Sequence, residues 1–151
     1  SSLANKGVVM QPRLVSEITS PTGEVIESFS PTPLGEIVSE RTASLVLEMM
    51  EKAAKEGTGK KAYIEGHRIA GKTGTGQKVG SGGSYDPHKF YSSFVGFFPL
   101  PEPRFGVIVV LDEPQGEYYG GDIAAPVFRE IAQNIINYAS IVSDKAEVEL
   151  F

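Results

Sequence analysis

Residues 71–80 read Gly-Lys-Thr-Gly-Thr-Gly-Gln-Lys-Val-Gly, and no apolar stripe stands against the glycines. Each glycine inside a helix costs roughly 0.8–1 kcal/mol relative to alanine, and Gly74, Gly76 and Gly80 fall within seven residues, so a helix through this stretch is implausible. This bears on one pattern match. Residues 66–73 satisfy G-x-x-x-x-G-K-[ST], the phosphate loop of nucleotide hydrolases, and residues 107–113 look like the apolar strand ending in acids that holds magnesium in such enzymes. A phosphate loop works because its Lys-[Ser/Thr] opens a helix, whose free amides and positive end face the phosphates. The residues after Lys72-Thr73 oppose that helix, and Arg68-Ile69-Ala70 suits a strand better than a loop of exposed amides. A strand is therefore predicted over 68–75, and the nucleotide hydrolase is the least favoured of three functional readings.

An extended backbone gives the same residues another use. Lys72, Thr73 and Thr75 supply one ammonium and two hydroxyls, a set suited to charge-assisted hydrogen bonds with a carboxylate. Strand alternation puts the Thr73 and Thr75 side chains on one face. Gly74 leaves nothing to obstruct an extended peptide adding itself to an edge strand. Spacing does not say which way Lys72 points.

The 151 residues amount to one domain, with 40% apolar and 22% charged residues near globular averages. A net charge of -5 with scattered basic residues argues against a nucleic-acid partner. The chain has no cysteine, which excludes disulfides and thiolate metal sites, and its two histidines, His67 and His88, read as surface residues. The longest apolar run, residues 107–111, is far short of the roughly 18 needed to cross a bilayer. The chain opens without methionine, and residues 1–7 read as the tail of a helix stopped by Gly7, so a piece of a longer protein is expected.

In chain order, residues 14–18 and 24–26 form a predicted hairpin around Ser20-Pro21-Thr22-Gly23. Pro31 and Pro33 are expected to break regular structure. A helix follows from the polar start at Ser39 to about Glu56, with Ala43, Val46, Leu47, Met50, Ala53 and Ala54 at helical spacing, its methionines as core filler, and Gly57 as its stop. Residues 76–88 read as a flexible glycine-rich loop. Residues 90–98 and 105–111 read as strands, the latter apolar without alternation and so expected to be covered on both faces. Asp112 and Glu113 read as a strand end. A final helix is predicted over 124–140, with Pro126 in its first turn and Ile123, Val127, Ile131, Ile135 and Tyr138 facing the sheet. Residues 143–149 are expected to fray.

Five blocks in this order carry a resemblance: Ala4-Asn5-Lys6-Gly7 with Pro12-Arg13-Leu14-Val15; Gly57-Thr58-Gly59; Ala70-Gly71-Lys72-Thr73-Gly74-Thr75; Tyr91-Ser92-Ser93-Phe94-Val95-Gly96-Phe97-Phe98-Pro99; and Tyr118-Tyr119-Gly120-Gly121 with Ala124-Ala125-Pro126-Val127-Phe128. A bare K-T-G is weak, but the ordered set resembles the C-terminal part of the transpeptidase domain of class B penicillin-binding proteins, with blocks 91–99 and 118–128 leaning towards the division-specific type. One departure is Gly76, where such proteins often carry alanine, expected to loosen the strand end. The resemblance implies an α/β (α+β) fold, a mainly antiparallel five-stranded sheet flanked by helices, in the penicillin-recognising serine acyl transferase class. Residues 1–151 would be only its C-terminal segment.

The implied reaction is peptidoglycan cross-linking by serine acyl transfer, with stem peptides as substrates and β-lactams as inhibitors, and with no metal or organic cofactor. The resemblance places Lys72, Thr73, Gly74 and Thr75 at the substrate carboxylate. Lys72 and Thr75 are then the catalytic candidates, Thr75 through an oxyanion-hole amide. Tyr118-Tyr119-Gly120-Gly121 reads as a packing turn near the cleft, and Tyr85, Tyr91 and residues 80–83 are further candidates for its lining. The nucleophile and bases of such enzymes lie in S-x-x-K and S-x-N, and neither pattern occurs here. They are expected in an upstream part of the same protein, so that this segment alone is inactive. A single membrane anchor further upstream, an extracytoplasmic location and a membrane lipid-II polymerase as partner complete the implied picture. A non-catalytic penicillin-binding sensor is the second reading.

Overall fold

The chain was analysed as a computed structural model, which describes residues 1–80 and 82–143. It divides into two units, Ser1–Ser44 and Leu45–Phe151. In the first, a short 3-10 turn at Leu3–Asn5 ends with Lys6 at φ 55° and Gly7 at φ 89°, the left-handed stop expected from the sequence. Strand β1 (Val8–Met10) pairs antiparallel with β4 (Pro33–Glu36), and β2 (Glu17–Thr19) with β3 (Val25–Ser28). The β2–β3 pair is the predicted hairpin. Pro33 does not break structure; it opens β4 opposite Met10, where the register shifts, a place in a sheet that tolerates a missing N–H.

Helix α1 (Glu40–Lys55) starts where Ser39 Oγ accepts the Thr42 amide at 3.2 Å. In the second unit, Leu47 and Ala54 of this helix are buried as predicted. A turn through residues 57–62 then leads to a three-stranded antiparallel sheet in the order β5 (Ala70–Val79), β6 (Tyr85–Phe98), β7 (Phe105–Asp112). These three strands are the described part of the main sheet, against five implied by the resemblance.

The expected loop over 76–88 is instead mostly strand. β5 runs to Val79 and β6 begins at Tyr85, the turn being closed by the Gly80 amide on the Ser84 carbonyl at 2.9 Å. The partner strand supplies the hydrogen bonds that side-chain packing does not. Gly76 lies within the paired stretch opposite Tyr91, and a Cβ there would meet nothing within 4 Å.

Helix α2 (Gly120–Tyr138) covers one face of the sheet. It begins four residues before the predicted start, so Pro126 lies in its second turn. Its buried residues are Gly120, Ala124, Ala125, Phe128, Ala132 and Ile136, whereas Val127, Ile131 and Tyr138 of the predicted stripe are exposed. The three alanines let the helix lie close to the sheet, and Phe128 fills the remaining space. Its ring centroid is 4.8 Å from that of Phe94 and 6.0 Å from that of Phe98. Glycines sit beneath these rings: a Cβ on Gly96 would come within 2.4 Å of Phe128, and one on Gly71 within 2.4 Å of Phe94.

β7 is not covered on both faces. Val109 is buried, with Phe105, Val107 and Leu111 packed against the core, while Ile108 and Val110 are exposed. The expected fraying over 143–149 lies outside the described residues from 144 onward.

Candidate active site

β5 is hydrogen-bonded to β6 along one side and forms the edge of the sheet. Residues 70–79 are strand and no helical turn starts at Lys72, which removes the phosphate-loop reading. Register fixes the faces. Thr73 lies opposite Phe94 and Thr75 opposite Ser92, so both threonines share the face covered by α2. Lys72 lies opposite Val95 and Gly74 opposite Ser93, on the other face.

The Lys72 ammonium nevertheless bends back to the neighbouring residue. It donates to the Thr73 carbonyl at 3.0 Å and approaches Thr73 Oγ1 at 3.5 Å. A Cβ on Gly74 would stand 2.5 Å from the Ser93 hydroxyl on the adjacent strand, a side-chain contact not visible in the sequence.

Thr73 and Thr75 line a cavity of about 630 Å³ together with Gly57, Thr58, Lys60, Lys61, Tyr119, Gly120, Gly121 and Asp122. Two contacts cross it from outside the Lys-Thr-Gly-Thr stretch. Thr58 Oγ1 lies 3.0 Å from Thr73 Oγ1, and the Gly120 amide donates to Thr75 Oγ1 at 3.1 Å. Gly120 packs so tightly that a Cβ would lie 2.4 Å from both the Gly74 and Ser93 carbonyl oxygens. The packing turn expected at 118–121 is thus observed, tied further to β6 by the buried Ser92 hydroxyl donating to the Tyr118 carbonyl.

Gly120→Ala should push the start of α2 off β5. With backbone on all sides, overpacking of this kind costs about 1–3 kcal/mol. The expected readout is a lower denaturation midpoint, with faster amide exchange at Thr75 and Gly120; unchanged exchange would contradict the packing.

Tyr118 stacks on Phe90 with ring centroids 4.2 Å apart and tilts against Tyr119 at 4.6 Å. Its phenol is pushed above the usual tyrosine range, first by the hydrogen bond with Tyr119. Among the described residues, Tyr85, Tyr91, Gly80, Gly82 and Gly83 do not line the cavity. Tyr91 faces the opposite side, its ring 4.7 Å from the Lys78 ammonium.

Lys78 bridges to Asp112 at 2.8 Å and Glu113 at 2.7 Å. Those two hydrogen bonds hold its ammonium well above the usual lysine range, and Lys78 holds the Glu113 carboxyl below its own. The acids at the end of β7 are therefore engaged in closing the hairpin. Nothing local in the sequence signals this pair, whose members lie 34 residues apart. His67 lines a separate cleft beside the Glu51–Arg68 ion pair, and His88 is exposed.

Among the described residues, Lys-Thr-Gly-Thr thus lies on an edge strand, with both threonines turned into a cavity under the first turn of a covering helix. The family model for the penicillin-binding protein transpeptidase domain matches residues 1–133, and the chain belongs to that family. It is 41% identical over 116 residues to the peptidoglycan D,D-transpeptidase FtsI of Escherichia coli K12, covering 76% of this chain and 20% of that protein. It is 33% identical over 151 residues to the stage V sporulation protein D of Bacillus subtilis, covering 99% of this chain and 23% of that one.

Among solved structures, penicillin-binding protein 3 of Mycobacterium tuberculosis, complexed with aztreonam, superposes with a TM-score of 0.82 at 29% identity, covering 94% of this chain and 34% of that chain. The D,D-transpeptidase domain of a peptidoglycan glycosyltransferase from Eggerthella lenta gives 0.78 at 33% identity, covering 93% and 31%. The chain thus spans about a fifth of the length of the curated relatives it matches.

Proposed function

We propose that this chain is the substrate-clamping part of a peptidoglycan D,D-transpeptidase. In that reading Lys72, Thr73, Gly74 and Thr75 receive the terminal carboxylate of a stem peptide, and the Thr75 amide is one of two oxyanion donors. The observation that carries it is the convergence of the Thr73 and Thr75 hydroxyls on one cavity at a sheet edge, with the Lys72 ammonium bonded to Thr73. One ammonium and two hydroxyls are donors matched to a carboxylate. Membership of the transpeptidase family supports acyl transfer as the chemistry.

The reaction proceeds by attack of a serine oxygen on the penultimate D-alanine carbonyl. The peptide C–N bond breaks and D-alanine leaves with the proton; an amine of a neighbouring stem then attacks the acyl-serine ester, the ester C–O bond breaks, and the amine's proton returns to the serine oxygen. The serine and its bases belong to an upstream part of the same protein, which carries S-x-x-K and S-x-N. Among the described residues no helix is long and apolar enough to cross a membrane. The proposal places a single anchor upstream as well, with this segment on the outer side of the cytoplasmic membrane beside a lipid-II polymerase.

A fluorescent penicillin tests the reading. It should label a chain extended upstream to include the serine and leave residues 1–151 unlabelled. Covalent labelling of 1–151 alone would defeat the division of labour, and failure to label the extended chain would defeat the function. Turnover of a stem peptide by the extended chain distinguishes an enzyme from a penicillin-binding sensor.

A further inference from the structure

The Gly57-Thr58-Gly59 turn belongs neither to the Lys-Thr-Gly-Thr strand nor to the absent motifs, yet it delivers a hydroxyl into the cavity. Its backbone is held from several directions. The Gly59 amide bonds the Ala53 carbonyl at 3.1 Å, and Gly59 is buried so that a Cβ would stand 3.1 Å from both Ala54 and the Phe94 ring. A Cβ on Gly121 would lie 2.2 Å from the Thr58 carbonyl, so the first turn of α2 closes over it. Thr58 is thereby presented to Thr73 at 3.0 Å, an acceptable hydroxyl–hydroxyl hydrogen bond.

Either hydroxyl could donate in that bond, and proton counting shows what each choice does. A hydroxyl has one proton and two lone pairs. Lys72 carries only donors, so at 3.5 Å Thr73 Oγ1 can only accept from it. If Thr58 also donates to Thr73, the Thr73 proton has no acceptor among the described residues and points to whatever fills the cavity. Thr75 is set the same way: the Gly120 amide can only donate to Thr75 Oγ1, and among the described residues no acceptor takes the Thr75 proton. The two cavity-facing threonines then both present protons, the arrangement an anionic terminus requires and a neutral amide does not.

We propose that Thr58 is a positioning residue that holds the Thr73 hydroxyl as a donor towards a carboxylate in this cavity, in parallel with the Gly120 amide on Thr75. The inference rests on the carboxylate-clamp reading above and adds a residue outside it.

The test uses the full-length protein as wild type, Thr58→Val and Thr58→Ser. Valine keeps the shape without the proton; serine keeps the proton. Penicillin acylation is resolved into its dissociation constant and its acylation rate constant. In parallel, binding is measured by calorimetry for an acetylated peptide ending in D-Ala-D-Ala and for the same peptide capped as a C-terminal amide. Thr58→Val should weaken penicillin and peptide-acid binding roughly tenfold, as befits a hydrogen bond to a charged group. The acylation rate constant and the weak binding of the amide-capped peptide should not change, and Thr58→Ser should restore wild-type behaviour.

Equal binding of the peptide acid by wild type and Thr58→Val would overturn the proposal. So would tighter binding by the valine variant, which would mean that Thr73 donates to Thr58. A serine variant as impaired as the valine one would reduce Thr58 to packing. A wild type that binds the peptide acid in a Thr58-dependent way but is not acylated would sink the transpeptidase reading and leave this one standing. Absence of any binding by wild type would end both.

Discussion

Lys72→Ala is expected to reduce acylation of the extended protein by a β-lactam on the order of a hundredfold, the upper range for losing a hydrogen bond to a charged group at about 1.5–3 kcal/mol. Lys72 is exposed, and among the described residues its bonds are to Thr73, so folding should be untouched. An unchanged circular dichroism spectrum and denaturation midpoint would therefore accompany the loss. Lys72→Arg should recover only part of it, because a planar, wider guanidinium does not fit the compact position of an ammonium between the Thr73 carbonyl and hydroxyl. Acylation kinetics of the three proteins check this, and wild-type rates in Lys72→Ala would remove Lys72 from the site.

Phe128→Ala should destabilise the fold by about 3–5 kcal/mol. Phe128 is fully buried, touches both Phe94 and Phe98, and rests on Gly96, which has no side chain to refill the space. Against a total stability of about 5–15 kcal/mol for a domain, that is a loss large enough to leave a substantial unfolded fraction. Urea denaturation of the extended protein should show a large drop in midpoint, and Phe128→Leu should retain most of the stability. A loss under about 1 kcal/mol would mean that α2 can collapse onto the sheet, contrary to the close alanine contacts.

The consequence reaches the site, because α2 carries Gly120 at its start and Phe128 further along. The helix that fills the core also sets the hydroxyl of Thr75. Folding and ligand geometry are coupled through one rigid element.

Much of this was legible in the chain. The glycines after Lys72 oppose a helix, and the strand predicted over 68–75 is found, though it runs on to Val79 through residues read as loop. Ser39 and the spacing of Leu47 and Ala54 located α1 closely. Two of the misreadings share a cause. Large apolar residues at positions 123, 127, 131, 135 and 138 of the last helix form a regular stripe, but the sheet takes the alanine face, rotated from it, because small residues permit closer approach to the sheet. A tally of bulky side chains cannot see that choice. The unalternating strand at Phe105–Asp112 likewise shows two apolar faces, of which α2 covers one.

Residue types and their local order settled the extended conformation of 70–75, the sharing of one face by Thr73 and Thr75, and the family to be expected. These depend on backbone sterics and on a period of two, both readable from neighbours in the chain. Three-dimensional packing alone decided that Thr58, fifteen residues upstream, meets Thr73, that Gly120, forty-five residues downstream, meets Thr75, and that Lys78 closes on Asp112 and Glu113. Such contacts arise where separate elements converge, and no periodicity within a single element encodes them.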